Sequence, residues 1–289
     1  MRKNRTILLV IFLIFLSAQF FSQIENSDKR DQEELEEILK NCAEYCERLS
    51  NAALHFVCKE TIEEDLYHGL FGRPSVSTSG GAISVQGGAQ QIEFNKYVYD
   101  YQLIKKGEKI EEARILLKEN GKKKHEENAP LKTKRFYSKR SVYGPVGFLG
   151  KEQQDKFAYK IIEEQTIKKR KTYVIEVTPK INIEGNPNYG KVWIDKEDFS
   201  VLKIEIEQES LAGFEKIEQE SKKQKMSPHI TTAHDYFIEK NGIRFPSKTV
   251  CKESAVAGAG LKRRSSRISE TRITYDSYRF FLVDVKIKY

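Results

Sequence analysis

Residues Gly190–Glu207 read GKVWIDKEDFSVLKIEIE, and this stretch decides the fold class. Leu202, Ile204 and Ile206 alternate with Lys203, Glu205 and Glu207. A period of two puts the apolar side chains on one face and the charges on the other, the pattern of a half-buried β-strand. Lys191–Asp195 reads as a second strand, and Lys196-Glu197-Asp198 as the turn between them. The unit is an antiparallel hairpin.

The same pattern extends on both sides. Upstream, Phe157–Thr166 and Thr172–Thr178 flank the basic tip Lys168-Lys169-Arg170-Lys171. Tyr97, Tyr99, Tyr101 and Leu103 alternate with more polar residues. Ala113, Ile115 and Leu117 follow, and their strand ends at Asn120-Gly121, a hairpin signal. Downstream, strands are expected at Phe214–Ser221, Thr231–Glu239, Ile243–Glu253 after Asn241-Gly242, Arg267–Tyr278 and Val283–Lys288. Consecutive hairpins with one apolar face make an antiparallel meander. About ten such strands are too many for a flat open sheet, so strong curling toward a barrel is expected.

Residues 28–68 read as helical. Leu35, Ile38, Leu39, Cys42, Cys46 and Leu49 recur at three- and four-residue steps. A second helix, capped at Ser50 or Asn51, is expected to present Leu54, Val57 or Cys58, Ile62 and Leu66 before Gly69 and Gly72-Arg73-Pro74 stop it. From Pro74 to Gln91 the chain is Ser, Gly, Gln and Ala with few apolar residues, which predicts a mobile loop. The expected fold class is α+β: a strongly curved antiparallel sheet of about ten strands covered by N-terminal helices. Residues 24–72 form the helical segment, 73–92 a Ser/Gly-rich flexible loop, and 93–289 the curved β domain.

The first 23 residues have a different character. A short basic stretch precedes the apolar run Ile7–Leu16, followed by Ser17, Ala18 and Ser22. This is the layout of a cleaved secretory signal peptide, and it places the mature protein in the periplasm. A ten-residue helix covers about 15 Å, half of a hydrocarbon core of about 30 Å. Export makes ATP- or NAD-dependent chemistry an unsuitable reading, and the sequence has no phosphate-binding Gly-rich loop. No cofactor is expected.

The chain has 289 residues, 39% hydrophobic and 32% charged, enough for a substantial core in one large domain or two ordinary ones. Its formal charge of +8 is spread over both signs rather than concentrated, which argues against a nucleic-acid partner.

The words GKVWIDKEDFSVLKIEIE, the preceding KTYVIEVTPK (Lys171–Lys180) and the later DYFIEKNGIRFPSKTV (Asp235–Val250) together resemble the periplasmic outer-membrane lipoprotein-sorting carrier (LolA-like) superfamily. The resemblance runs from about residue 94 to the end. It implies an unclosed β-barrel with helices across its mouth and an apolar cavity. It also implies a non-enzymatic carrier or chaperone that holds acyl chains of a lipid or lipoprotein. The alternative within the same fold is an envelope sensor or assembly protein whose cavity is filled by its own side chains. An acylated ligand or lipoprotein is the expected partner, with envelope membrane proteins or an anionic lipid surface as further ones; the oligomeric state is left open.

Strand alternation nominates the cavity lining: Tyr97, Tyr99, Tyr101, Ile115, Leu117, Trp193, Leu202, Ile204 and Ile206. Cys42, Cys46, His55 and Cys58 form a candidate metal site if two helices pair, while small core hydrophobes or disulfides account for the same cysteines. His229 and His234 are expected on opposite faces of a strand, as surface histidines beside a turn. No catalytic signature such as G-x-S-x-G or H-E-x-x-H occurs.

Overall fold

The computed structural model describes residues 30–68, 75–79, 82–86, 91–106, 109–135, 141–180, 187–258 and 264–281. The signal-peptide reading of residues 1–23 and the strand expected at Val283–Lys288 lie outside them.

Helix α1 spans residues 30–52. Its apolar stripe buries Leu35, Ile38, Cys42, Tyr45, Cys46 and Leu49, with Leu39 half-buried. The second helix expected after it is a strand instead, β1 (Phe56–His68). Phe56, Cys58, Glu60, Ile62, Glu64 and Leu66 all face inward. Cys58, Ile62 and Leu66 are four residues apart, and that spacing fits a helix turn and a strand face equally well. The paired neighbours decide for the strand.

The expected loop at 73–92 contains a short ribbon, β2 (Ser75–Ser79) against β3 (Ala82–Gln86). Then come β4 (Gln91–Lys106), β5 (Lys109–Glu119) and β6 (Lys122–Glu126). A covering segment leads through 127–135 to α2 (Gly144–Leu149) and α3 (Lys151–Gln154). The meander resumes with β7 (Phe157–Ile167), β8 (Arg170–Pro179), β9 (Gly190–Asp195) and β10 (Val201–Ile206). The strand expected at Phe214–Ser221 is a helix, α4 (Phe214–Lys223), because its apolar residues Phe214 and Ile217 are three apart and its last turn carries Lys222 and Lys223. The chain closes with β11 (Met226–Asp235), the small ribbon of β12 (Ile238–Lys240) and β13 (Ile243–Phe245), then β14 (Lys248–Ala257) and β15 (Arg264–Phe280).

Eleven strands form one antiparallel sheet in the order β6-β5-β4-β1-β15-β14-β11-β10-β9-β8-β7. The terminal strands β6 and β7 do not pair, so the sheet is an unclosed barrel. Register shifts in β1, β4, β5, β7, β10 and β14 supply local bends that a curling sheet needs. Leu116 from β5 and Phe157 from β7, near opposite ends of the strand order, belong to one continuous buried cluster. β1, the first strand in sequence, sits between β4 and β15, so the first and last of the described strands are neighbours inside the sheet. No helix among the described residues is long and apolar enough to cross a membrane.

Candidate functional site

Two elements cover the concave face. Helix α1 lies against β13, α2–α3 and the β9–β10 turn, where the Cys42 thiol is 3.8 Å from the Phe199 carbonyl. Tyr45 Oη donates to the Arg244 carbonyl (3.3 Å), the Cys46 thiol contacts the Pro145 carbonyl (3.4 Å), and Gln154 Nε2 donates to the Leu39 carbonyl (2.8 Å). The segment 129–135 lies toward β4, β1 and β14. Tyr99 Oη donates to the Pro130 carbonyl (3.4 Å) and accepts the Lys132 backbone N–H (3.3 Å).

Beneath them the concave face is filled by the protein itself. Tyr97, Tyr99 and Tyr101 point inward as the alternation predicts, and each is buried. Phe56 packs on Phe245, Tyr278 and Phe280 with ring centroids 5.2–6.2 Å apart. Ile204 and Ile206 also face inward and belong to the main buried cluster.

The remaining predicted lining residues sit elsewhere. In β5 it is Leu116, fully buried opposite Tyr99, that faces inward; Ile115 pairs with Asp100, and both Ile115 and Leu117 are half-buried. Three apolar residues in a row leave the facing undetermined, and a register shift at Val98/Tyr99 settles it. Trp193 is on the opposite face from Val192 and Ile194: its Nε1 donates to Gln165 Oε1 (2.8 Å), and Lys203 Nζ lies 4.5 Å from its ring. Leu202 occupies the register shift in β10, buried but outside the main cluster.

The inner face is also far more polar than an oily trough. Glu60, Glu64 and Glu253 are all buried there. Arg114 spans Glu60 and Glu112, and its guanidinium stacks 4.7 Å over Tyr101. The two carboxylates hold Arg114 more firmly protonated than usual against the opposing effect of burial. The expectation missed these residues because Glu60 and Glu64 fell in a segment read as helix. Their alternation with Cys58, Ile62 and Leu66 was the available signal.

Cys42, Cys46, His55 and Cys58 do not converge. Two are on α1, His55 is exposed in the turn after it, and Cys58 lies on β1. Among the described residues no three His, Cys, Asp or Glu side chains come together to hold a metal ion. All four cysteines are free and buried. Burial pushes the Cys46 thiol up to about 12 and the Cys251 thiol up to about 11, so neither is a ready nucleophile. His229 and His234 take opposite faces of β11, but His234 is buried rather than at the surface. Its Nδ1 lies 2.8 Å from Thr249 Oγ1, and burial depresses its ring to about 4. It is a neutral core histidine with no route to a substrate.

Open space lies at the edge of the covering layer. A cavity of about 870 Å³ separates α1 from α2 and α3. Leu39, Ala43 and Cys46 of α1 and Val146 of α2 form its apolar floor. Its rim carries Glu36, Glu44, Glu47 and Glu152 against Lys40 and Lys151. The position of this groove was not read from the sequence, because its second wall begins at Gly144-Pro145, which carries no strand or helix periodicity strong enough to stand out.

A family model described as an uncharacterized protein matches residues 132–243. The structure is similar to that of a putative outer membrane lipoprotein-sorting protein domain from Vibrio parahaemolyticus, at 11% identity over 85% of this chain and 93% of that one, with a TM-score of 0.39. It is also similar to a LolA superfamily protein from Nitrosomonas europaea, at 11% identity, 86% and 96% coverage and a TM-score of 0.35. A DUF1329 family protein from Desulfovibrio piger is similar at 12% identity, 86% and 95% coverage and a TM-score of 0.37. No curated protein matches the sequence.

Proposed function

We propose that this is an exported, non-enzymatic binding protein of the periplasm that holds the acyl chain of a lipid or lipoprotein, and that its seat is the groove between α1 and the α2–α3 pair. The cavity of about 870 Å³ with an apolar floor carries this reading, since ligand sites occupy about 300–1,000 Å³. Ten buried methylenes give a gross gain of about 8 kcal/mol, reduced by ordering costs to a reversible affinity. Such binding needs area rather than a catalytic group. The sheet interior is not the seat, because Tyr97, Tyr99, Tyr101, Phe56 and Phe245 already fill it.

That filled interior favours a second reading, an envelope sensor or assembly protein that engages a protein partner through the same groove. Titration with a fluorescent fatty acid and with an acylated peptide separates the two. The carrier reading expects saturable binding of both, lost in Ala43→Trp, which fills the floor. Absence of binding to either probe by the wild-type protein would sink the carrier and leave the protein-partner reading.

A further inference from the structure

The end of the concave face beneath residues 133–135 holds a buried carboxylate with one oxygen unpartnered. Glu64 is fully buried, and in the sheet register it lies between Asn95 of β4 and Thr271 of β15. Its Oε1 accepts the backbone N–H groups of Lys134 (2.8 Å) and Arg135 (3.0 Å). Its Oε2 has no hydrogen-bond partner, and the same is true of the buried hydroxyls of Thr271 and of Thr133, the residue preceding Lys134.

The nearby cations are engaged by other acids. Lys134 Nζ pairs with Glu93, and Arg135 Nε donates to Glu253 Oε2 at 2.9 Å, where the Ser269 hydroxyl also bonds. The Lys134 ammonium is also within electrostatic reach of Glu64, but no side-chain cation hydrogen-bonds Glu64 Oε2. A buried carboxylate oxygen without a hydrogen-bond partner is unfavourable, and each buried hydroxyl without one adds to the cost.

We propose that Glu64 Oε2, with the hydroxyls of Thr133 and Thr271, binds a monovalent alkali cation, which ties the 129–135 segment to the sheet. Three oxygens of this kind suit a hard cation. One carboxylate matches a single positive charge, whereas calcium calls for six to eight oxygen ligands and usually more than one acid. Soft-metal ligands are lacking, since no His, Cys, Asp or Glu cluster forms among the described residues.

Thermal unfolding of the full chain in sodium, potassium or choline chloride, each at about 0.15 M so that screening is equal, tests the site. The expected result is a melting temperature about 5 °C higher in sodium or potassium than in choline, rising to saturation with concentration. Thr271→Val, close in volume to the native residue, should lose most of that increment while melting in choline no lower than the wild type. Glu64→Gln should lose it entirely; if that variant does not fold, Thr271→Val alone decides. Equal melting of the wild type in all three salts, or a full increment retained by Thr271→Val, overturns the proposal.

Discussion

Arg114 grips Glu60 at two points: Nε donates to Oε2 at 2.6 Å and Nη2 to Oε1 at 3.1 Å, and the carboxylate has no solvent exposure. The two residues come from strands that are not neighbours in the sheet, with β4 and its Tyr99 and Tyr101 between them. The pair therefore bridges β5 and β1 across β4, with the guanidinium 4.7 Å from the Tyr101 ring. Removing one partner leaves a buried charge alone, so Arg114→Met should cost about 3–5 kcal/mol in urea unfolding. The double variant Glu60→Leu/Arg114→Met should recover most of that loss. An additive double variant would show that the ion pair is not what couples these positions.

Stability should also depend on pH through His234. Burial holds its ring at about 4 in the folded protein, below the ordinary imidazole value. Between those two values the unfolded chain binds a proton that the folded chain does not, so stability falls as pH drops through that window. The loss amounts to about 3 kcal/mol once pH is below both values. His234→Gln should flatten the stability profile between pH of about 6.5 and 4. An unchanged slope in that variant would assign the acid sensitivity to other groups.

Strand facing in the deciding hairpin can be read from two adjacent substitutions. Ile204 is fully buried in the main cluster, whereas Glu205 is half-buried and pairs with Lys203 on the other face. Ile204→Asp buries a charge and should cost several kcal/mol, while Glu205→Ala should stay within about 1 kcal/mol. Equal shifts in melting temperature would mean that the facing is wrong.

Trp193 is the single tryptophan, and its indole is held by Gln165 away from the groove between α1 and α2–α3. Its emission should therefore stay constant while a ligand fills the groove and change only on unfolding. A saturable shift of Trp193 emission on adding fatty acid would move the binding site to the outer face of β9 and β10.

The four thiols should resist a soluble disulfide reagent in the native state and all react in denaturant, because each is buried and free. Rapid native labelling would reveal that α1, which carries Cys42 and Cys46, opens readily. Such opening would enlarge the groove whose floor includes Cys46.

Much of the architecture was legible in local pattern. The Gly190–Glu207 hairpin, the inward Tyr97, Tyr99 and Tyr101, the apolar stripe of α1 and the turn at Asn120-Gly121 all rest on contacts or conformations within a few residues. Asn120 and Gly121 both adopt positive φ, as that turn type requires. Errors arose where a pattern satisfied two periods at once. Cys58, Ile62 and Leu66 suit helix or strand, and Ile115-Leu116-Leu117 suits either strand face.

The sequence by itself determined that this chain forms a hairpin meander with helical structure laid against it, since alternation and turn residues express the local preference of the backbone. Only the tertiary structure decided what lies inside. A glutamate is tolerated in the interior when a partner distant in sequence meets it, as Arg114 meets Glu60 from 54 residues away and Arg135 meets Glu253 from 118. Periodicity reports which side chains share a face, but whether that face is oil, aromatic packing or paired charge depends on strands the local pattern cannot see.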